Sequence, residues 1–237
     1  MARTLIFFLI FWIILLISLP LLLPVYLLNL FDSHEIRKRY IRFLTSGWSR
    51  FTLFTAGIKI KKSGLEHIPS PESEYVIISN HQGNFDIPVL MAVLPFSPGF
   101  VAKKELTRIP LISSWMNALE CLPIERSDPR ASRKKIYNRI RQKGKNPLIL
   151  FPEGTRSRGL QMVNLKTGSL KLLFHHHIDI LPVTINGTYK SYEEKGKIQP
   201  ADVMVIFHPL IRTSSYEPRD IPKFLKDLRQ IISGGLK

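Results

Sequence analysis

Tyr75-Val76-Ile77-Ile78-Ser79-Asn80-His81-Gln82-Gly83-Asn84-Phe85-Asp86 decides how the rest of the chain is read. Its first five residues are an unbroken β-rich apolar run, the pattern of a strand buried on both faces. A polar turn containing one glycine follows, and residues 86–94 then suit a helix.

Outward from this unit the same alternation recurs. Strand-like runs fall at 58–62, 75–79, 99–103, 121–125, 147–151, 180–185 and 203–208. Helical patterns fall between them at 86–94, 107–119, 129–143, 165–174 and 218–232. The third helix is the best marked: Ser127 or Asp128 can cap it, Pro129 lies in its first turn, and Gly144 stops it. Alternating β and α elements predict an α/β fold with a largely parallel central sheet flanked by helices. In such sheets ligands sit beyond the carboxyl ends of the strands. His81 follows one predicted strand, and Glu153-Gly154-Thr155-Arg156 follows another. If those strands are parallel, both stretches open onto one edge.

The chain has 237 residues, enough for one globular domain and an appendage, and 45% hydrophobic content excludes a disordered protein. A formal net charge of +16 favours anionic partners such as acidic lipid, phosphorylated metabolites or nucleic acid. The single Cys121 excludes an intrachain disulfide.

Residues 5–30 contain no Asp, Glu, Lys or Arg. A hydrocarbon core about 30 Å thick needs roughly 20 apolar residues as helix, so this segment is long enough to cross. It is too long for a signal-peptide core, and no small-residue cleavage site follows it. Pro20 and Pro24 each remove a backbone donor, which makes a re-entrant hairpin bent at 19–24 the competitor to a simple span. A buried core helix is the third reading. Arg37, Lys38, Arg39 and Arg42 follow the segment, against Arg3 and the terminal amine before it. If the segment spans, that bias puts the body of the chain on the cytoplasmic face of a membrane; if it does not, the same cations suit an acidic inner leaflet. From residue 33 to about 56, apolar and basic residues interleave, as in an interfacial amphipathic helix or a core-facing one. The expected division is a membrane-associated helical segment at 1–57 and an α/β domain at 58–237.

His81 and Asp86 are five residues apart. On one regular helix they would stand roughly 140° apart and not meet. A turn at Gly83, with a helix starting near Asp86, can bring the carboxylate back to the imidazole. The carboxylate would then fix the tautomer and support the imidazolium formed when the other nitrogen takes a proton. If no Ser or Cys partners it, such a pair needs an external nucleophile, and a substrate hydroxyl attacking a thioester carbonyl fits. Asp86 also reads as a plain helix N-cap. In the second stretch, Gly154 lets backbone approach a ligand, Thr155 adds a hydroxyl, and Arg156 can grip a phosphate bidentately. Glu153 and Arg156 also admit a simple turn salt bridge.

Taken together these residues resemble the glycerophospholipid acyltransferase family. Its His, four residues, then Asp motif matches His81 to Asp86, with Asn80 in front. Its Pro-Glu-Gly-Thr-Arg motif matches Pro152 to Arg156 without substitution. Its Lys-x-Glu-Leu run matches Lys103-Lys104-Glu105-Leu106, followed by Pro110. Ile124-Glu125-Arg126 matches its hydrophobic-acidic-Arg motif, with Glu125 for the usual Asp, and Leu181-Pro182-Val183 its late aliphatic-Pro-Val motif. The order and approximate spacing agree from Asn80 to Val183. Three positions depart: Gly83 stands where many members have Ser or Thr, Glu120 where Gly is common, and Pro123 where an aromatic is frequent.

The resemblance implies transfer of a fatty acyl group from acyl-CoA or acyl carrier protein to the sn-2 hydroxyl of 1-acylglycerol-3-phosphate, giving phosphatidic acid. His81 would be the general base and Asp86 its orienter. Arg126 and Arg156 would hold the acceptor phosphate with help from Lys103, while Glu153, Gly154 and Thr155 would shape the acceptor site. The acyl chain would lie in an apolar channel opening to the bilayer. No cofactor or metal is expected, the acyl donor being a substrate. Membrane lipids, the donor and a lysophospholipid are the expected partners. A different lysolipid as acceptor, or a non-catalytic membrane adaptor of the same fold, are the alternatives.

Two other stretches invite a different function. His175-His176-His177 looks like a metal tract, but consecutive helical residues point in different directions and no complementary ligands are evident. The basic run at 130–145 has Tyr137 as its only aromatic, too little for a nucleic-acid stacking platform, so nucleic acid is not an expected partner.

Overall fold

The structure is a computed structural model and describes residues 1–31 and 33–236. Seven strands form one sheet: β1 (Ile58–Ser63), β2 (Tyr75–Ser79), β3 (Gly99–Lys103), β4 (Leu122–Ile124), β5 (Leu148–Leu150), β6 (Asp179–Asn186) and β7 (Ala201–Phe207). Their spatial order is β1-β7-β6-β2-β5-β3-β4. Neighbours run parallel except β6 and β7, which pair antiparallel through Val183–Phe207 and Asn186–Met204. The predicted largely parallel sheet is thus present, with one reversal near an edge. β6, β2, β5, β3 and β4 form a continuous parallel block, and their carboxyl ends share one edge.

The apolar run that opened the reading explains the layering. Ile77 belongs to one buried cluster, whereas Val76 and Ile78 belong to the cluster on the opposite face. Side chains alternate across a strand, so an uninterrupted apolar run is what a doubly covered strand requires. Each such residue, buried fully, contributes roughly 1.5–3 kcal/mol. On Ile77's side pack α1 (Ala2–Ile17), α3 (His34–Ala56) and α4 (Asp86–Val93), through Phe7, Leu53 and Val89. On the other side lie α6 (Pro129–Ile140), α7 (Thr167–His175) and α8 (Ile221–Gly234), through Ile136, Leu170 and Phe224. α2 (Leu23–Leu30) and α5 (Pro110–Ala118) complete the helices.

The helix boundaries follow their caps. Asp128, not Ser127, caps α6, its side chain accepting the Ala131 N–H at 2.9 Å. α5 begins at Pro110 rather than 107, because proline suits a first turn and the preceding residues form a 3₁₀ turn, Lys104–Arg108.

Near the N-terminus, α1 and α2 are separated by a 3₁₀ turn, Leu19–Leu22, at the two prolines. No single helix among the described residues is long and apolar enough to cross a membrane; the pair bent by 43° at this break meets the length and composition together. α3 packs against the body with one face, as the core-facing reading of 33–56 expected, and leaves apolar residues exposed on the other. Ile41, Leu53 and Ala56 are buried against the body, while Ile36, Phe43 and Phe54 are exposed. Gly57, at φ 74°, ends α3 in the left-handed conformation and turns the chain into β1.

Glu120 helps seat this segment. It has φ 55°, uncommon for a residue with a Cβ, and its carboxylate meets Arg37 of α3 at 2.8 Å, Lys145 at 2.6 Å and Arg139 at 3.6 Å. Arg37 and Arg139 are both nearly buried, so a shared anion is what makes their burial tolerable.

Candidate active site

His81 leaves the end of β2 and Asp86 starts α4, and the loop between them folds the two together. Asp86 is fully buried. Its Oδ2 accepts from His81 Nδ1 at 2.6 Å, from the Gln82 N–H at 2.7 Å and from the Gly83 N–H at 3.0 Å. Its Oδ1 accepts the Thr188 hydroxyl, delivered from the loop after β6. A carboxylate only accepts, so Nδ1 carries the proton and Nε2 is left as the basic nitrogen. The ring of His81 stacks on Phe151 at the end of β5, centroids 4.2 Å apart. Asp86 therefore orients the imidazole as the spacing suggested. It also does the N-cap-like work of binding loop amides.

Glu153 faces inward and is 2% exposed. One oxygen accepts the His81 N–H and the other the Val163 N–H, both at 2.7 Å. It thus fixes the backbone of the base and makes no turn salt bridge with Arg156. Burial pushes its carboxyl above the usual range, opposed by the two backbone N–H groups. Gly154 adopts φ 67°, and a Cβ there would lie 2.8–2.9 Å from the Lys166 side chain. Thr155 is exposed. Arg156 contacts the Asn84 side-chain oxygen and stands 3.5 Å from Glu193.

The remaining predicted residues lie farther along the same edge. Lys103 ends β3 and pairs with Glu105 at 3.0 Å; its register partner on β4 is Ile124, two residues before Arg126. Arg126 is exposed. The parallel register thus puts Thr188, His81, Arg156, Lys103 and Arg126 at successive strand ends.

Beside the His81 loop opens an apolar cavity of about 430 Å³, within the roughly 300–1,000 Å³ of small-molecule sites. Asn84 and Phe85 line it from the loop, Phe7 and Phe11 from α1, and Trp48 from α3. Cys121 also lines it, and burial pushes its thiol up to about 11, which keeps it a neutral apolar wall.

Sequence reasoning missed Thr188, Phe151, Asn80's role and Glu193. Asn80 clamps β2 to β6, its side-chain amide exchanging two 2.8 Å bonds with the backbone of Ile185. Phe151 closes the strand predicted at 147–151, directly ahead of the Pro152–Arg156 motif; Thr188 and Glu193 carried no local signal. Among the described residues no group of three or more His, Cys, Asp or Glu is arranged to hold a metal. Tyr137, the lone ring of the basic run, lies against His176 at 4.1 Å between centroids.

A histidine with one nitrogen held by a buried carboxylate and no partner for the other among the described residues stands at the carboxyl edge of the parallel sheet of this α/β protein, where ligands of such folds sit. A sequence model of the family described as Acyltransferase matches residues 59–186, and the chain belongs to that family. A chloroplastic 1-acyl-sn-glycerol-3-phosphate acyltransferase of Arabidopsis thaliana is 31% identical over 189 residues, covering 78% of this chain and 52% of the plant protein. A 1-acyl-sn-glycerol-3-phosphate acyltransferase of Pseudomonas aeruginosa is 32% identical over 194 residues, covering 78% of this chain and 73% of the other. The chain spans between about half and three-fifths of the plant relatives' length. In fold it resembles the crystal structure of the 1-acyl-sn-glycerophosphate acyltransferase of Thermotoga maritima, with TM-score 0.79 and 22% identity over 99% of this chain and 96% of the other.

Proposed function

We propose that the protein transfers a fatty acyl group from acyl-CoA or acyl carrier protein to the sn-2 hydroxyl of 1-acylglycerol-3-phosphate, yielding phosphatidic acid. The observation that carries this reading is the 2.6 Å bond from His81 Nδ1 to Asp86, made beside an apolar cavity and within one loop of Arg156. His81 Nε2 takes the proton of the acceptor hydroxyl as its oxygen attacks the thioester carbonyl. The tetrahedral intermediate collapses by breaking the C–S bond, and the departing thiolate takes the proton back from the imidazolium. Asp86 supports that transient cation, and general-base help of this kind contributes roughly 10²–10⁴-fold. Arg156 receives the acceptor's phosphate, with Thr155 beside it and Lys103 and Arg126 farther along the edge. The acyl chain occupies the cavity.

The same reading places the protein on a membrane. The bent α1–α2 pair and the exposed Ile36, Phe43 and Phe54 of α3 would enter the apolar layer. Arg37, Lys38, Arg39 and Arg42, on the side of the catalytic body, favour a cytoplasmic orientation.

The test is an assay of detergent-purified protein with labelled oleoyl-CoA and a panel of lysolipids, alongside His81→Ala. Transfer to lysophosphatidic acid that is lost in a folded His81→Ala variant is the expected result. Transfer only to another lysolipid would move the acceptor and keep the chemistry. Full turnover by His81→Ala would refute the base.

A further inference from the structure

Four successive amides of the His81 loop are held by three carboxylates. Glu153 takes His81, Asp86 takes Gln82 and Gly83, and the third, Glu193, takes Asn84 at 2.7 Å. Glu193 reaches in from the segment after the 3₁₀ turn Thr188–Ser191, and its side chain is 4% exposed. The oxygen that binds the Asn84 N–H is also the one 3.5 Å from Arg156 Nη1. Its other oxygen has no hydrogen-bond partner among the described residues.

The slot for that second oxygen exists because residue 83 is glycine. A Cβ at Gly83 would lie 2.4 Å from Glu193 Oε2 and 2.8 Å from its carboxyl carbon. Gly83 has no left-handed φ, so the glycine is not there for the turn. Holding one N–H needs only an amide oxygen, and a glutamine would supply it without burying a charge. What glutamine lacks is the charge, and the cation within ion-pair distance of that charge is Arg156.

We infer that Glu193 is a specificity-determining residue that neutralises Arg156 in the empty site, so that an acceptor phosphate binds against a built-in carboxylate. The inference rests on the reading of Arg156 as the phosphate ligand. A phosphomonoester carries close to two negative charges above its second pKa near 6, a phosphodiester one. The carboxylate penalises the second charge and so narrows the advantage of a monoester headgroup over a diester one. Burial already pushes Glu193 above the usual carboxylate range, with the Asn84 N–H and Arg156 pulling it back.

The experiment compares two unreactive ligands at pH 8, 2-deoxy-lysophosphatidic acid and its methyl phosphodiester, by equilibrium binding to the detergent-purified full chain. Glu193→Gln keeps the acceptor for the Asn84 N–H and removes the charge. It is expected to raise the monoester-to-diester affinity ratio about tenfold, which corresponds to roughly 1.4 kcal/mol. Gly83→Ala, whose methyl group displaces the carboxylate, is expected to move the ratio in the same direction and serves if Glu193→Gln does not fold. An unchanged ratio, or affinities that fall in parallel for both ligands, would overturn the inference and leave Glu193 a loop anchor. Arg156→Ala separates the two levels. If it collapses the ratio while Glu193→Gln leaves it alone, only the inference fails. If it leaves the ratio untouched, the phosphate reading fails and takes the inference with it.

Discussion

Around His81 nearly every polar group is tied to a neighbour: the imidazole to Asp86, Asp86 to Thr188, the loop amides to three carboxylates, and the ring face to Phe151. Two strands along the same edge, Lys103 has one half-exposed partner, Glu105, and Arg126 projects from the chain after β4 in the open. One region is built before any ligand arrives and the other is left to adapt. The difference matches the work proposed for each. A base must stand within hydrogen-bond reach of a particular proton, so its supports must be fixed in advance. A lysine on a flexible stem can follow a charged headgroup, at some cost in rotamer entropy.

If that contrast is real, substitutions should grade accordingly. The largest effect is expected at the base: His81→Ala should cut kcat by about 10³-fold in a normally folded protein, as judged by turnover and circular dichroism. Arg156→Ala comes next. It should raise KM for a phosphorylated acceptor about 10–100-fold, the worth of a charge-assisted bond, and leave an unphosphorylated acceptor nearly unchanged. Thr188→Val should lower the unfolding free energy by roughly 1–3 kcal/mol in a urea titration, because it strips a donor from a buried carboxylate oxygen. Lys103→Ala and Arg126→Ala should change stability by less than about 0.5 kcal/mol and affect KM only a few-fold. Should either match Arg156→Ala, the division into fixed and adaptable regions would collapse.

The smallest effect is expected away from the edge that carries His81, at His208 after β7. Its Nε2 lies 2.8 Å from the Thr184 hydroxyl, which itself donates to the Ile232 carbonyl, so His208 Nε2 is the donor to that hydroxyl. Burial, with His67 nearby, lowers its pKa. A histidine lowered in the folded state contributes stability that is complete above its unfolded value near 6.5 and is lost as pH falls below it toward the folded value. His208→Gln should therefore soften the loss of stability between pH 7 and pH 5, measured by thermal melts at the two pH values, and leave turnover intact.

The parallel block was legible in the sequence because strands covered on both faces need continuous apolar runs, as in residues 75–79, and because Pro129 marks a helix start. The reversal of β7 was not, since Ala201–Phe207 reads the same in either direction. The His81–Asp86 contact was legible in its spacing, and Arg156 in the motif that contains it. Glu193 did not: within Tyr192-Glu193-Glu194-Lys195 it looks like an exposed charged turn. Only the long return from β6 brings it against Gly83, more than a hundred residues earlier. Glu120 was conspicuous as a departure from the family, and its ties to Arg37, Arg139 and Lys145 show it joining α3 to the body.

The cavity beside His81 is walled on one side by Phe7 and Phe11, residues of the first helix. A tail that merely tethered an enzyme could be exchanged for any other of equal hydrophobicity. This one is not modular in that sense, because removing it would unroof the compartment proposed for the fatty chain. Replacing residues 2–17 with a foreign apolar helix, with α3 kept in place, should leave the sheet and the base standing and yet redraw the profile of accepted acyl lengths, which a donor series from decanoyl- to stearoyl-CoA would reveal.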